Sequence, residues 1–262
     1  MRTLWVHTAG TDSTLGAPFE PGVPMSDSRT QRRPRSWYVR GVVGLVGELL
    51  VTLGVVLALF VGWQVLWTDV VADREQSAAV SALEDRFSVP SDGPSVPDST
   101  IPPAELGDAF AVVRIPRFGA DYARPLYEGT DRFTLQRGIG HYATTARPGE
   151  VGNFAIAGHR TTYGKPFSRI AELRVGDRVI VETAESYFVY LVFDALVVLP
   201  SQVEVVLPVP GEPGAATSER LLTMTSCHPQ FSSRQRWVTH ARLERTLDRS
   251  AGLPEELLEV TG

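Results

Sequence analysis

A long uncharged apolar stretch near the N-terminus constrains this 262-residue chain more than any other feature. Residues 49–67 carry no charged side chain, and residues 41–47 extend the apolar run beyond Glu48. A bilayer-spanning helix needs about 20 apolar residues, so we predict a transmembrane anchor over residues 41–67. A cleaved signal peptide is the alternative, but its apolar region is normally about 7–15 residues long and ends at a small-residue cleavage site. Residues 69–73 offer no such site.

The charges on either side of this stretch predict its orientation. Arginines precede it at positions 29, 32, 33, 35 and 40, whereas Asp69, Asp73 and Glu75 follow it. Cytoplasmic flanks carry the excess of Lys and Arg, so we predict a cytoplasmic N-terminus and an extracellular C-terminal domain. Residues 1–40 are polar and basic near their end, which indicates a disordered cytoplasmic tail, with Met25 as an alternative start.

Residues 68–107 are predicted to connect the anchor to the domain. Apolar residues recur at roughly helical spacing over residues 70–87, which indicates a juxtamembrane helix. Residues 88–107 contain five prolines with several Ser and Asp residues, a composition typical of a semi-extended linker. One domain is then predicted over residues 108–250, and residues 251–262 form a C-terminal tail.

Short β-prone runs separated by turn residues fill the predicted domain. They lie at residues 109–115, 125–127, 153–157, 178–183, 187–199, 220–225 and 235–243. Two short helices are predicted at residues 131–137 and 166–173. Many short strands with few helices indicate a mainly β fold, a closed or nearly closed barrel.

Cys227 is the only cysteine in the chain, and it lies at the end of an apolar, β-prone run. An intrachain disulfide and a two-cysteine metal site are therefore both excluded. A free Cys is often a small buried hydrophobe, but a thiol at the end of a strand also suits a nucleophile. A membrane-tethered thiol-redox protein is an alternative function, although its oxidation cycle would need a resolving thiol that this chain lacks.

Candidate partners for this thiol lie on both sides of it in the sequence. His159 follows a short apolar strand in a Gly-flanked loop, a plausible place for an acid or base. Arg236 lies on the next predicted strand and Arg234 lies just before it. The two have the same parity, so spacing alone does not choose between them if the strand begins early enough to include Arg234.

The other histidines are weaker candidates for the same chemistry. His228 is adjacent to Cys227, and neighbouring residues of a strand point to opposite faces. His141 follows a Gly-rich segment that could border a cleft, and His240 lies within the last predicted strand.

Three motifs in this chain order resemble the sortase family, the membrane-anchored cysteine transpeptidases of Gram-positive bacteria. They are Ala157-Gly158-His159, Thr225-Ser226-Cys227 and Arg236. The longer strings Gly158-His159-Arg160-Thr161-Thr162-Tyr163-Gly164 and Cys227-His228-Pro229 are most similar to the class E sortases of actinobacteria. The resemblance covers roughly residues 110–247.

The resemblance implies a closed eight-stranded β-barrel with short helices, preceded by one transmembrane helix and with the active site at strand ends. It implies Cys227 as nucleophile, His159 as proton donor and base, and Arg236 as the cation that stabilises the oxyanion. Thr225, His141 and Tyr163 are predicted to bind substrate. No cofactor and no metal are expected.

The implied reaction cleaves a Leu-Ala-x-Thr-Gly or Leu-Pro-x-Thr-Gly sorting motif after Thr. The implied partners are surface proteins with a C-terminal sorting signal and an amine of a peptidoglycan precursor or stem peptide. A net charge of −5 and a pI near 5.6 give no reason to expect a nucleic-acid partner. A noncatalytic surface binding module is a further alternative, and a cysteine L,D-transpeptidase would show a Ser-His-Gly-Cys type string that is missing here.

Overall fold

The computed structural model describes residues 35–88 and 104–258 of the chain. Most of the predicted cytoplasmic tail, most of the Pro-rich linker and the last four residues lie outside the described residues. The chain divides into two compact units, residues 1–55 and 56–262.

The helix α1 (Arg35–Ser88) contains the whole predicted anchor. Its segment Tyr38–Trp63 is long and apolar enough to cross a membrane, with a mean hydropathy of 2.5 and no buried residue. Large apolar side chains of the first unit, such as Leu50 and Val51, are more than half exposed. A helix that is apolar on all sides without protein cover matches a lipid environment. The same helix continues through residues 70–87.

Eight strands in the second unit form a closed barrel, as predicted. They are β1 (Ala109–Arg114), β2 (Ala123–Glu128), β3 (Ile139–His141), β4 (Gly152–Ala157), β5 (Arg178–Glu182), β6 (Ser186–Val198), β7 (Arg220–His228) and β8 (Gln235–Asp248). Their order around the barrel is β1-β2-β3-β4-β7-β8-β6-β5. The pairs β2–β3 and β4–β7 are parallel and the other pairs are antiparallel. The barrel thus places β4, β7 and β8 side by side.

Apart from α1, the helices described in this unit are few and short. The helix α2 (Arg132–Arg137) begins after Asp131, whose carboxylate accepts from the backbone N–H groups of Phe133 and Thr134. The helix α3 (Glu255–Leu258) lies near the end of the described chain. Turns of 3₁₀ helix occupy Pro116–Phe118, Ile170–Glu172, Val203–Val206 and Arg249–Ala251.

Two details differ from the prediction. The strand β3 was missed because it has only three residues, one of them Gly140. The predicted helix over residues 166–173 is wrong, since only the turn Ile170–Glu172 is helical. Its backbone groups are used elsewhere: the Phe167 N–H donates to the His159 carbonyl at 3.0 Å, and the Tyr122 hydroxyl donates to the Pro166 carbonyl at 2.6 Å.

Side-chain alternation divides the strands into an inner and an outer face. Leu222 and Met224 of β7, with Phe154 and Ile156 of β4, are fully buried in the barrel core. Successive side chains of a strand point to opposite sides. Thr223, Thr225 and Cys227, which alternate with these positions of β7, therefore lie on the outer face.

The last turns of α1 pack on the barrel within the second unit. Val80, Leu83 and Phe87 form a small apolar cluster with Val112 of β1. At the edge of this cluster, Arg114 bonds to Glu84 of the helix and to Glu182 of β5. The juxtamembrane part of the helix is thus part of the folded domain.

Candidate active site

The strands β4 and β7 deliver His159 and Cys227 to the same place. These strands run parallel and in register, and their last pair is Ala157 with Thr225. The Gly158 N–H then donates to the Thr225 carbonyl at 3.1 Å. His159 and Cys227 each follow that last pair by two residues. Because side chains two positions apart share a face, both side chains leave on the outer face of neighbouring strands.

The strand β8 supplies the cation from the other side of Cys227. Cys227 and Arg236 are direct cross-strand partners, one row beyond Thr225 and Val238. Side chains of directly opposed residues lie on one face with Cβ atoms about 4.5–5.5 Å apart. The fold therefore places His159, Cys227 and Arg236 at the ends of three adjacent strands.

The imidazole of His159 is half-buried and poorly restrained. Burial lowers the pKa of His159, which favours the neutral ring. Its ring packs against that of Tyr163, with centroids 5.1 Å apart. Among the described residues, no hydrogen bond reaches either ring nitrogen. Both nitrogens are thus available for proton transfer, and the loop alone orients the ring.

The two candidate arginines differ in their surroundings. Arg236 is partly buried, and its Nη1 donates to the carbonyls of Ser233 at 2.9 Å and Gln235 at 3.0 Å. A guanidinium has five N–H donors, so Nε and Nη2 stay available for a substrate oxygen. The side chain of Arg234 is exposed on the β7–β8 loop.

Two of the three residues predicted to bind substrate lie beside this site. Tyr163 packs on His159, and its hydroxyl accepts a hydrogen bond from the Gln136 side chain at 3.1 Å. Thr225 lies one row before Cys227 on the same face. Its hydroxyl lies 3.2 Å from the Tyr142 hydroxyl and donates to the Ile156 carbonyl.

The third, His141, lies within a buried polar cluster. Only 1% of it is exposed. Its Nδ1 lies 2.9 Å from a Glu128 carboxylate oxygen, and its Nε2 lies 3.0 Å from the Ala146 carbonyl. Arg147 bonds to the other Glu128 oxygen. Both ring nitrogens of His141 are held by hydrogen bonds, and the ring has almost no exposed surface, so His141 connects β3 to β2 and to the following loop. This burial does not favour the predicted contact with substrate.

The other two histidines are also held by neighbours. His240 is 5% exposed and bonds to Thr223 at 2.9 Å. The Nδ1 of His228 lies 2.9 Å from Arg160 Nη1 and accepts its hydrogen bond. His228 lies against Trp237 on the face opposite to the Cys227 thiol, as alternation predicts.

Sequence reasoning assigned no role to Arg160, which lies directly behind the thiol. It is 7% exposed, and its Nη1 also donates to the Cys227 carbonyl at 3.2 Å. Burial lowers the pKa of Arg160, and the negative charge of a Cys227 thiolate opposes this effect. The only signal in the sequence was an arginine next to the candidate histidine.

The arrangement can support acyl transfer without a cofactor. A partly exposed thiol, a neutral imidazole and a fixed cation are the groups that nucleophilic catalysis at a carbonyl requires. Within the described ranges, no group of three or more His, Cys, Asp or Glu residues is placed to hold a metal ion.

Comparison with known proteins agrees with this chemistry. A sortase domain model matches residues 113–244. The chain is 37% identical over 249 residues to sortase SrtE1 of Streptomyces coelicolor. This alignment covers 91% of this chain and 68% of that protein. The solved sortase E from Streptomyces avermitilis superposes with a TM-score of 0.54 at 42% identity, over 59% of this chain and 99% of that one.

A second solved structure, sortase E1 from Streptomyces coelicolor with a tripeptide in its active site, has a TM-score of 0.53 at 37% identity. It covers 59% of this chain and 99% of that one. The matched sortase domain includes the whole of β4 and β7 and most of β8. The chain therefore belongs to the sortase family of cysteine transpeptidases, and its relatives include the class E sortases of actinobacteria.

Proposed function

We propose that this protein is a membrane-anchored class E sortase that cleaves a Leu-Ala-x-Thr-Gly or Leu-Pro-x-Thr-Gly sorting motif after Thr. The meeting of His159, Cys227 and Arg236 at the ends of β4, β7 and β8 carries this proposal. The relative with a tripeptide in its active site supports a peptide substrate. We include Thr225 and Tyr163 as residues that border the peptide.

The first half of the reaction forms a thioester. His159 first takes the proton of the Cys227 thiol, and the resulting thiolate attacks the Thr carbonyl carbon. Arg236 donates hydrogen bonds to the oxygen that becomes negative. The C–N bond between Thr and Gly then breaks as the imidazolium of His159 gives its proton to the leaving amine. The products are a Thr–Cys227 thioester, a free Gly amine and a neutral His159.

The second half transfers the acyl group to an amine. A neutral amine attacks the thioester carbonyl, and His159 accepts the proton that the nitrogen loses. The C–S bond breaks, which restores the Cys227 thiolate and leaves a new amide. The amine is proposed to belong to a peptidoglycan precursor or stem peptide, so the product is a surface protein joined to the cell wall.

The apolar part of α1 is proposed to anchor the enzyme in the cell membrane, with the N-terminus in the cytoplasm and the barrel outside. The arginines before this segment and the acidic residues after it support the orientation. Protease added to intact protoplasts is expected to degrade the barrel and spare the N-terminal tail. Protection of the barrel would reverse the orientation.

Trapping the acyl-enzyme tests the chemistry directly. Full-length protein in detergent is mixed with a Leu-Ala-x-Thr-Gly peptide or its Leu-Pro counterpart, and intact mass is measured between about pH 6 and 9, where Cys and His titrate. The mass of the fragment ending in Thr should appear on Cys227 and disappear when an amine is added.

Two variants serve as controls for that experiment. Cys227→Ala should form no adduct, and His159→Ala should form little, because the leaving amine then lacks its proton donor. A wild-type protein that forms no adduct with either peptide at any of these pH values would remove the basis of the assignment.

A further inference from the structure

The juxtamembrane part of α1 contacts the loop that carries His159. This loop, residues 159–165, is called the histidine loop below. Gln76 of the helix is 1% exposed, and its Nε2 donates to the Tyr163 carbonyl at 2.8 Å. The two residues are 87 positions apart in the chain. Among the described residues the Gln76 Oε1 has no hydrogen-bond partner, so the bond to Tyr163 is the polar contact that offsets burial of this amide.

Gln76 also lies very close to Gly164 in the histidine loop. A Cβ atom added to Gly164 would lie 2.7 Å from Gln76 Nε2, closer than real side chains approach. Gly164 also has a φ of +71°, which a residue with a side chain adopts less readily. Glycine here thus permits both the backbone turn and the approach of the helix.

The histidine loop itself has an unusual backbone. Tyr163 and Lys165, on either side of Gly164, have φ values of +53° and +46°. Left-handed conformations are unfavourable for residues other than Gly, Asn and Asp, so two of them in one short loop persist only where surrounding contacts fix them. Gln76 is one of those contacts.

Two ion pairs lie one and two helical turns before the Gln76 contact. Lys165 of the loop bonds to Asp69 of the helix at 2.7 Å. Arg124 of β2 bonds to Asp73 of the helix at 2.9 Å and lies 3.4 Å from the Gly164 carbonyl. The helix thus reaches the loop directly from positions 69 and 76, and through Arg124 from position 73. These three positions are spaced by about one helical turn.

The held loop leads directly to the catalytic imidazole. The Tyr163 ring packs on the His159 ring, and among the described residues no hydrogen bond restrains the imidazole nitrogens. Many catalytic histidines are oriented by a carboxylate on the second nitrogen. Here the orientation depends on the path of the loop instead.

We infer that Gln76 is a positioning residue for His159, so that the helix leading out of the apolar segment is a working part of the active site. The inference rests on the proposed role of His159 as acid and base. It predicts that α1 contributes to turnover as well as to attachment to a membrane.

The test compares two neighbouring positions of the helix in the full-length protein in detergent. Gln76→Met keeps the side-chain length beside Gly164 but cannot donate to the Tyr163 carbonyl. Ser77→Ala is the matched control, because the exposed Ser77 hydroxyl bonds only to the Asp73 carbonyl of the same helix. Peptide cleavage is measured as kcat and KM across the pH range, and histidine NMR follows the titration of His159.

Misplacement of a catalytic group lowers turnover by up to about 10²-fold. We expect kcat to fall roughly 10-fold for Gln76→Met with KM within about two-fold, and Ser77→Ala to match wild type. The pKa of His159 should rise toward its ordinary value in the Met variant, since a loosened loop exposes the ring to water. His240 lies outside the loop, and its unchanged titration reports an intact barrel.

A second variant tests the same loop through a separate contact. Asp69→Asn removes the ion pair with Lys165 and should change kcat and the His159 titration in the same direction by a smaller amount. Wild-type values of kcat and of the His159 titration in Gln76→Met overturn the inference and leave the proposed function intact. A wild-type protein inactive on every peptide overturns the proposed function, and the NMR titration then still decides whether Gln76 positions the ring.

Discussion

The outer face of β4, β7 and β8 has a closed region and an open one, although both follow the same alternation of side chains. In the closed region, Thr223 of β7 opposes His240 of β8. Two rows farther along, Cys227 opposes Arg236 in the open region. Each region combines a polar β7 residue with a basic β8 residue. What differs is the cover supplied by the chain between β6 and β7.

That cover is fixed by a buried hydrogen-bond network. The Thr223 hydroxyl donates to Asn153 Oδ1 at 2.7 Å and accepts from His240 Nδ1 at 2.9 Å. Asn153 then donates to the carbonyls of Val205 at 3.3 Å and Leu207 at 2.9 Å, in the β6–β7 connection. Satisfied polar networks of this kind rigidify a fold. The comparison shows that a polar residue on this face is buried where the β6–β7 connection covers it. A histidine on the same face is a candidate for catalysis only where that connection leaves it uncovered.

Replacing a histidine in each region should separate the two roles most clearly. His159→Asn should lower kcat roughly 10²–10⁴-fold, the usual contribution of general acid–base catalysis, with little change in thermal stability. His240→Gln should lower thermal stability and leave kcat within a few-fold, because it disturbs the buried network. Steady-state peptide cleavage and calorimetry of the full-length protein measure both effects.

The opposite ranking would break the comparison. If His240→Gln lost more turnover than His159→Asn while still folded, the closed region would have to open during the reaction. Calorimetry makes this distinction possible, since it reports the folded fraction at the assay temperature.

The arginines of the open region should show the next largest effect. Arg236→Ala should lower kcat about 10²–10³-fold, since it removes a preorganised donor to the oxyanion. Arg234→Ala should have a much smaller effect, because that side chain is exposed on the loop. A peptide cleavage assay that ranks them in reverse order would transfer the role to Arg234.

Much of the fold was predictable because its signals are local. The apolar stretch and the alternating β-prone runs lie within single segments. The run predicted at residues 220–225 forms most of β7, which continues to His228. The sortase motifs identified the three residues that parity then places on one face. Parity alone left Arg234 and Arg236 equivalent, and only the resemblance chose between them.

The remaining features depend on contacts between distant segments. The burial of His141 follows from its pairing with Glu128, 13 positions away, which no local pattern reports. The contact between Gln76 and Tyr163 joins a helix to a loop across 87 positions. Arg160 resembled an ordinary loop arginine because its position behind Cys227 exists only once β4 and β7 have paired.

Arg160 offers a smaller test at the back of the open region. Arg160→Met should slow alkylation of Cys227 by iodoacetamide at about pH 7 several-fold, because it removes a buried cation that bonds to the Cys227 carbonyl at 3.2 Å. Arg242→Met is the matched control, since Arg242 is an exposed arginine of β8 that pairs with Glu219 at 2.5 Å. Equal alkylation rates in both variants would mean that Arg160 holds the backbone at Cys227 and does not affect the reactivity of the thiol.

The smallest expected effect concerns the pH dependence of stability in the closed region. Burial lowers the pKa of His240, and the Asp194 carboxylate only partly opposes this. An unfolded chain titrates its histidine near pH 6.5. Below that pH the unfolded state binds a proton that the folded state does not, so the free energy of unfolding falls as the pH drops from about 6.5 through the folded pKa. Above pH 6.5 this loss is absent.

His240→Gln removes that titration while it also weakens the bond to Thr223. The variant should therefore have a lower Tm than wild type at pH 7.5 but a smaller further decrease in Tm between pH 7.5 and pH 5. Each kcal/mol corresponds to about 2–4 °C in a protein of this size, so scanning calorimetry resolves the difference. An equal decrease in both proteins would mean that His240 takes up its proton in the folded state as easily as in water, which would contradict a closed region around it.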